Sequence, residues 1–282
     1  MRLHPLGLVL LRRASECSLR HLSNLAPRMG PILSGSYRVA SRVANSWQAG
    51  YPIRSYAELR ECRTLFVACN SERIPRLVGE LMAELDGFRD RRLVFWDEPP
   101  PHREASLLQQ QAAGFGIVML FEELPVPVYL VEGDRATRRW LVEFVHEGGG
   151  DAIEIAEGAY ALCQLARLVG SLGVAPALDV SFRCLRQAGV SATQANRLLG
   201  KKIDAALRAY SQSGMRGLSW PRRAEERRVL AQCVTAVSQR DRSLAAMAAD
   251  VLRLALRCAK QDTSQLESVS VAVAKAGSGS RA

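Results

Sequence analysis

Two short stretches carry the residue types that hold phosphate and sugar groups: Ser34, Ser36 and Arg38 in one, Cys69, Asn70 and Ser71 in the other. Each follows an apolar run that reads as a strand. In dinucleotide-binding sheets an acid after the second strand meets the ribose, whereas Ser and Arg there suit a 2′-phosphate. Ser34 or Ser36 is equally a helix N-cap, with Arg38 an exposed arginine beside it. Cys69, Asn70 and Ser71 end a buried strand, where open α/β sheets take their ligands, and they can also cap a helix starting near Glu72. Other reactive groups form no constellation. His102 stands in a proline-rich loop, Tyr160 opens a helix as either a general acid or a packed ring, and the adjacent Glu122 and Glu123 point apart. No nucleophile–base pair emerges, so no catalytic residue is assigned. The four histidines are isolated from one another and from the seven cysteines, none of which forms a CxxC pair, and no metal site is expected. The cysteines read as core thiols.

The elements that would position these residues alternate strand and helix. Met29–Leu33, Thr64–Cys69, Leu93–Trp96, Gly116–Phe121, Val126–Val131 and Ala152–Ile155 read as strands. Thr64–Cys69 (TLFVAC) is apolar throughout, as a strand buried on both faces should be. Helices are expected over Tyr37–Gln48, Glu72–Leu85, Ala105–Ala113 and, capped by Asp134, to His146. This alternation predicts a parallel, doubly wound α/β sheet. Beyond residue 156 only helical periods remain, over Glu157–Ala188 with a softening at Gly170, Gly173 and Pro176, then Ala192–Ser213, Arg223–Ser238 and Asp241–Lys260.

The charge follows the same division. Residues 64–155 carry 9 basic and 16 acidic residues and residues 156–261 carry 17 and 7, within a chain of 282 residues and net charge +10. The basic clusters Lys201-Lys202, Arg222-Arg223 and Arg227-Arg228 fall on helical segments without aromatic context and read as solvated faces, so a nucleic-acid partner is not expected. The domains are thus a divergent segment 1–28, an α/β domain 29–156, an all-α domain 157–261 and a disordered tail 262–282. No apolar run reaches the length of a membrane span. Residues 1–28, with five arginines and one acid, match the composition of a mitochondrial transit peptide. They match equally the divergent start of an arginine-rich protein, and the chain is read as cytoplasmic.

Several segments, in order, carry a resemblance. PILSGSYRVASRVANSWQAG, TLFVACNSERIPRLVGEL, YLVEGDRATRRWLVEFVHEGGGDAIEIAE and ALRAYSQSGMRGLSWP resemble successive parts of the Rossmann-like family with domain of unknown function 2520. That family is similar to pyrrolinecarboxylate reductases and deazaflavin-dependent NADP oxidoreductases. The resemblance implies a Rossmann-like α/β domain followed by an all-α one, NADP as cofactor, a small-molecule substrate and a homodimer through the helical domain. The departures matter as much. The GxGxxG fingerprint is absent, since Leu8–Pro27 holds no glycine. The family's proline and acid become Cys69-Asn70, and its histidines fall at Phe95 or Trp96, at Phe121 and at Ala161. Two readings follow: an NAD(P)-binding oxidoreductase-like protein, and a non-enzymatic descendant of the fold with a degenerate cofactor site.

Overall fold

The computed structural model describes residues 5–123, 125–218 and 224–259, in two compact units that part between Arg167 and Leu168. The first is built on one eight-stranded sheet. Its strands are β1 (Leu6–Leu10), β2 (Met29–Ser34), β3 (Tyr51–Pro52), β4 (Thr64–Ala68), β5 (Arg92–Trp96), β6 (Gly114–Glu122), β7 (Val128–Gly133) and β8 (Asp151–Glu154). They lie in the order β3-β2-β1-β4-β5-β6-β7-β8. The Rossmann-like α/β sheet expected from the alternation is therefore present. The tail from residue 262 lies outside the described residues.

β4 and its neighbours β1 and β5 are buried on both faces, in keeping with their unbroken apolar runs. Leu8, Leu10, Phe66 and Trp96 pack into one core. Val9, Val67 and Phe95 pack into the other, on the opposite face. The flanking helices are α1 (Tyr37–Trp47), α2 (Ile74–Glu84), α3 (His102–Gln111) and α4 (Arg135–Glu147). Ser36 Oγ accepts from Val39 N and starts α1. Asp134 caps α4 through Thr137 N and also accepts from Phe115 N, tying the helix to the start of β6. Burial works against the Asp134 charge, but these donors outweigh it and hold the carboxyl below its ordinary range. Gly133 precedes it at φ 146°, where a Cβ would strike the Phe115 carbonyl oxygen, so only glycine fits.

Two expectations are corrected. Residues 5–28 are no separate segment, because Leu6–Leu10 form the strand seated between β2 and β4, parallel to both. The stretch after it, which in a βαβ unit is a helix, is a chain of three 3-10 turns over Ala14–Glu16, Ser18–His21 and Ser23–Arg28. Without a helical period to follow it, LGLVL did not read as the opening of a βαβ unit. The sheet is also not wholly parallel. β7 runs antiparallel to β6, because the five residues joining them are far too few for a parallel crossover.

The second unit is helical. α5 (Tyr160–Leu168), which begins in the first unit, a π-type turn (Val169–Gly173) and α6 (Val174–Gln187) are followed by α7 (Ala192–Ser213), α8 (Ala224–Ser238) and α9 (Arg242–Cys258). Among the described residues no strand lies beyond Glu154. Asp241 caps α9 through Leu244 N and binds Arg183 of α6 at 2.8 Å. The core is small, with Val234, Ala245, Ala249 and Leu256 buried together. By length and composition the helical stretch Tyr160–Gln187, though interrupted by Arg167 and Asp179, is long and apolar enough to cross a membrane, with mean hydropathy 1.4 over its most apolar part and none of that part buried. Lys201 and Lys202 are exposed on α7, while Arg222 and Arg223 lie outside the described residues.

A chain lacking residues 1–28 loses the strand between β2 and β4 and exposes both of their inner edges. It is expected to be insoluble or to lack cooperative unfolding. Solubility and circular dichroism of the truncated chain check this, and a soluble, cooperatively folded product would refute it.

Candidate functional site

The carboxyl ends of β1, β2, β4 and β5 define the crevice where sheets of this kind bind ligands, at the point where strand order reverses beside β1. The six sequence candidates lie along this edge, three after β2 and three after β4, on either side of β1. Ser34 Oγ donates to the Leu10 carbonyl at 2.7 Å, so its hydroxyl joins β2 to β1. Ser36 caps α1 as described, and Arg38 is exposed one residue into that helix. Cys69 is buried, and burial pushes its thiol up to about 11. Asn70 is exposed, and the Ser71 N–H donates to Glu98 Oε2 at 2.7 Å.

The centre of the edge is a polar network that sequence reading missed. Ser18, in the second 3-10 turn, is its hub. Its N–H donates to Asp97 Oδ2 at 2.9 Å and its Oγ to Asp97 Oδ1 at 2.5 Å. The Trp96 Nε1–H donates to Ser18 Oγ at 2.7 Å, and the Tyr129 hydroxyl to the Ser18 carbonyl at 2.7 Å. Asp97 adopts φ 69°, a left-handed conformation uncommon outside glycine. Desolvation raises the Asp97 carboxyl above its ordinary range, against the pull of the Ser18 donors and Arg12. The Arg12 guanidinium stands 3.9 Å from Asp97 and 3.7 Å from Glu98, with Nε and Nη1 buried and making no hydrogen bond. Its Nη2 stands 3.9 Å from Glu16 Oε2.

Tyr160 reaches the same place from α5. Glu132, buried on β7, accepts from the N–H groups of Gly158 and Tyr160 at 2.9 Å each and so fixes the start of that helix. The Tyr160 hydroxyl then donates to the Asp97 carbonyl at 2.7 Å. Burial pushes this phenol up to about 12, so it stays protonated and acts as a donor at neutral pH. Arg12, Ser18, Asp97, Glu98 and Tyr160 line a crevice of about 370 Å3. Glu123 enters its rim, 3.5 Å from His21, while Glu122 folds back to accept from the Glu123 N–H. His102 is exposed at the first residue of α3 and takes no part in this lining. The signal for the network was the pair Asp97-Glu98 at a strand end, which reads in isolation as loop.

A dinucleotide fits this edge on one side only. Arg38 and the start of α1 suit a 2′-phosphate. The turn after β1 has no glycine, leads into 3-10 turns instead of a helix, and its Ser18 N–H is already engaged. It does not fit a pyrophosphate.

No family model and no curated protein matches this sequence. Solved structures match its fold. An imine reductase from Aspergillus terreus superposes with TM-score 0.60 at 15% identity, over 100% of this chain and 96% of that one. A reductive aminase from the same organism, solved with NADPH and ethyl-5-oxohexanoate, gives 0.57 at 14%, covering 99% and 95%. A Pseudomonas putida protein gives 0.64 at 14%, covering 94% and 97%. This chain thus has the Rossmann-like fold of NADP-linked oxidoreductases, with an α/β sheet and a helical part.

Ser18→Ala removes the acceptor of a buried indole N–H and one donor to a buried carboxylate. The expected loss of stability is about 1–3 kcal/mol, read as a lower urea midpoint. An unchanged midpoint would show that water replaces the hydroxyl at no cost.

Proposed function

We propose that this chain is an NADP(H)-binding oxidoreductase-type protein acting on a small molecule, akin to the family with domain of unknown function 2520, cytoplasmic and homodimeric through its helical part. The observation that supports it best is the fold itself, with Ser34 at the end of β2, Ser36 and Arg38 at the start of α1, and Cys69, Asn70 and Ser71 just after β4, across the switch point. The solved neighbours, one of them holding NADPH and a keto ester, support the same reading. The nicotinamide would supply the hydride chemistry. From this chain, Arg38 would bind the 2′-phosphate and Tyr160 would present a protonated hydroxyl at the crevice. A second reading, a non-enzymatic descendant, is favoured by one observation: the turn after β1 is filled by the chain's own Ser18–Asp97 contact.

The affinity follows from the fit. Two lost backbone contacts to a pyrophosphate, at about 1.5–3 kcal/mol each, weaken binding by roughly two to four powers of ten. Fluorescence titration is expected to show weak NADPH binding and weaker NADH binding, with Arg38→Ala erasing the difference. Tight NADH binding would show that the β2 end does not discriminate. No binding of either cofactor at about millimolar concentration would favour the second reading.

The helical part supports a second copy as partner. Val169 and Leu172 along the π-type turn, and Leu198 and Leu207 on α7, are exposed, while that unit's own core is small. A stable interface buries on the order of 800 Å2 per partner. A helix face that meets its own copy is self-complementary in a two-fold dimer. Light scattering is expected to give twice the chain mass of 31.0 kDa, and Leu172→Glu to halve it. A monomer that pellets with neutral lipid vesicles would assign the face to a membrane instead.

A further inference from the structure

We infer that Asp97 and Glu98 stand in for the phosphates of a ligand, so that the β1 side of the crevice is closed to a pyrophosphate and only the phosphoadenosine half of a nucleotide is held. The inference rests on the NADP(H) reading above and limits which part of the cofactor this chain engages.

The backbone donors at this edge are occupied from within the chain. A backbone amide has one N–H to give. Two near the switch point, Ser18 N in the second 3-10 turn after β1 and Ser71 N after β4, each give it to a carboxylate of this chain, at 2.9 Å to Asp97 and 2.7 Å to Glu98. These are the loops at which a sheet of this order receives anionic groups. The two carboxylates are adjacent in sequence at the end of β5, so one strand end serves both loops. Arg12, the cation at the mouth of the β1 turn, sits within 4 Å of both. Its charge is balanced from within the chain.

The contact to Asp97 is also anchored. Ser18 is buried, and its hydroxyl bridges the Trp96 indole to the carboxylate. An entering pyrophosphate must displace a carboxylate, break the Ser18 bridge and bring two negative charges beside two already there. At the end of β2 Arg38 is exposed, and among the described residues no carboxylate is seen bonded there. The chain therefore distinguishes the two halves of a dinucleotide by which of its loops carry their own anions.

The test compares NADPH with adenosine 2′-monophosphate on the full chain, by calorimetric titration, in the natural sequence and in Glu98→Gln. Glu98 is partly exposed and Gln keeps its shape, so this variant folds. The inference expects the two ligands to bind within about fivefold of each other. It also expects Glu98→Gln to tighten NADPH by about threefold or more while leaving the monophosphate unchanged. NADPH binding more than about fivefold tighter than the monophosphate, or unaltered by Glu98→Gln, would overturn the inference and leave the NADP(H) reading standing. If neither ligand binds at about 5 mM, the NADP(H) reading falls and takes the inference with it.

Discussion

The structure of the first unit depends on how Leu11–Arg28 returns from β1 to β2 without a helix. Parallel neighbours need a long crossover that packs on the sheet, and a helix usually supplies it because its backbone groups satisfy one another. Three 3-10 turns satisfy fewer of theirs and in poorer geometry. Side chains make up the difference. Cys17, Leu19, Leu22 and Leu25 are buried in the core against β1 and α4, and Ser18, among them, turns its polar atoms to Trp96, Asp97 and Tyr129. The Ser18 hub is what lets a segment of marginal regularity hold its place beside the innermost strand. Its partners come from β5, the end of β5 and β7, so the crossover is tied across half the sheet.

That arrangement explains which parts were legible in the sequence. α7 was expected over Ala192–Ser213 and forms over those residues. The Asp134 cap, the β4 strand and the break at Gly170 and Gly173 were also readable, because each is a local rule of residue type and period. β1 was missed because a strand is recognised partly by the helix after it. The antiparallel β7 was read as a strand but not for direction, although the short link before it carries that information. The six candidate residues occupy the expected edge, yet Ser34 and Ser36 make structural bonds there. Ser18, Asp97 and Tyr160 meet only through pairings 63 to 79 residues apart in the chain, which no local pattern reports.

The absence of a glycine turn and the presence of the fold are separable. Burying each large apolar side chain of β1 contributes about 1.5–3 kcal/mol, and that gain depends on the strand lying in the sheet, not on the backbone that follows it. Glycines in the turn serve a ligand's close approach. The turn after β1 holds Leu11, Arg12 and Arg13 instead, and the core does not depend on that difference. The backbone N–H groups of Ser18 and Ser71 beyond the strand ends still need acceptors. Such groups are costly when buried and unpaired. A carboxylate at the end of β5 answers that need from within the chain, and Arg12 offsets the charge so introduced. The crevice is thus a coupled set, in which the anion, the donors and the cation each make the others tolerable in a poorly solvated place.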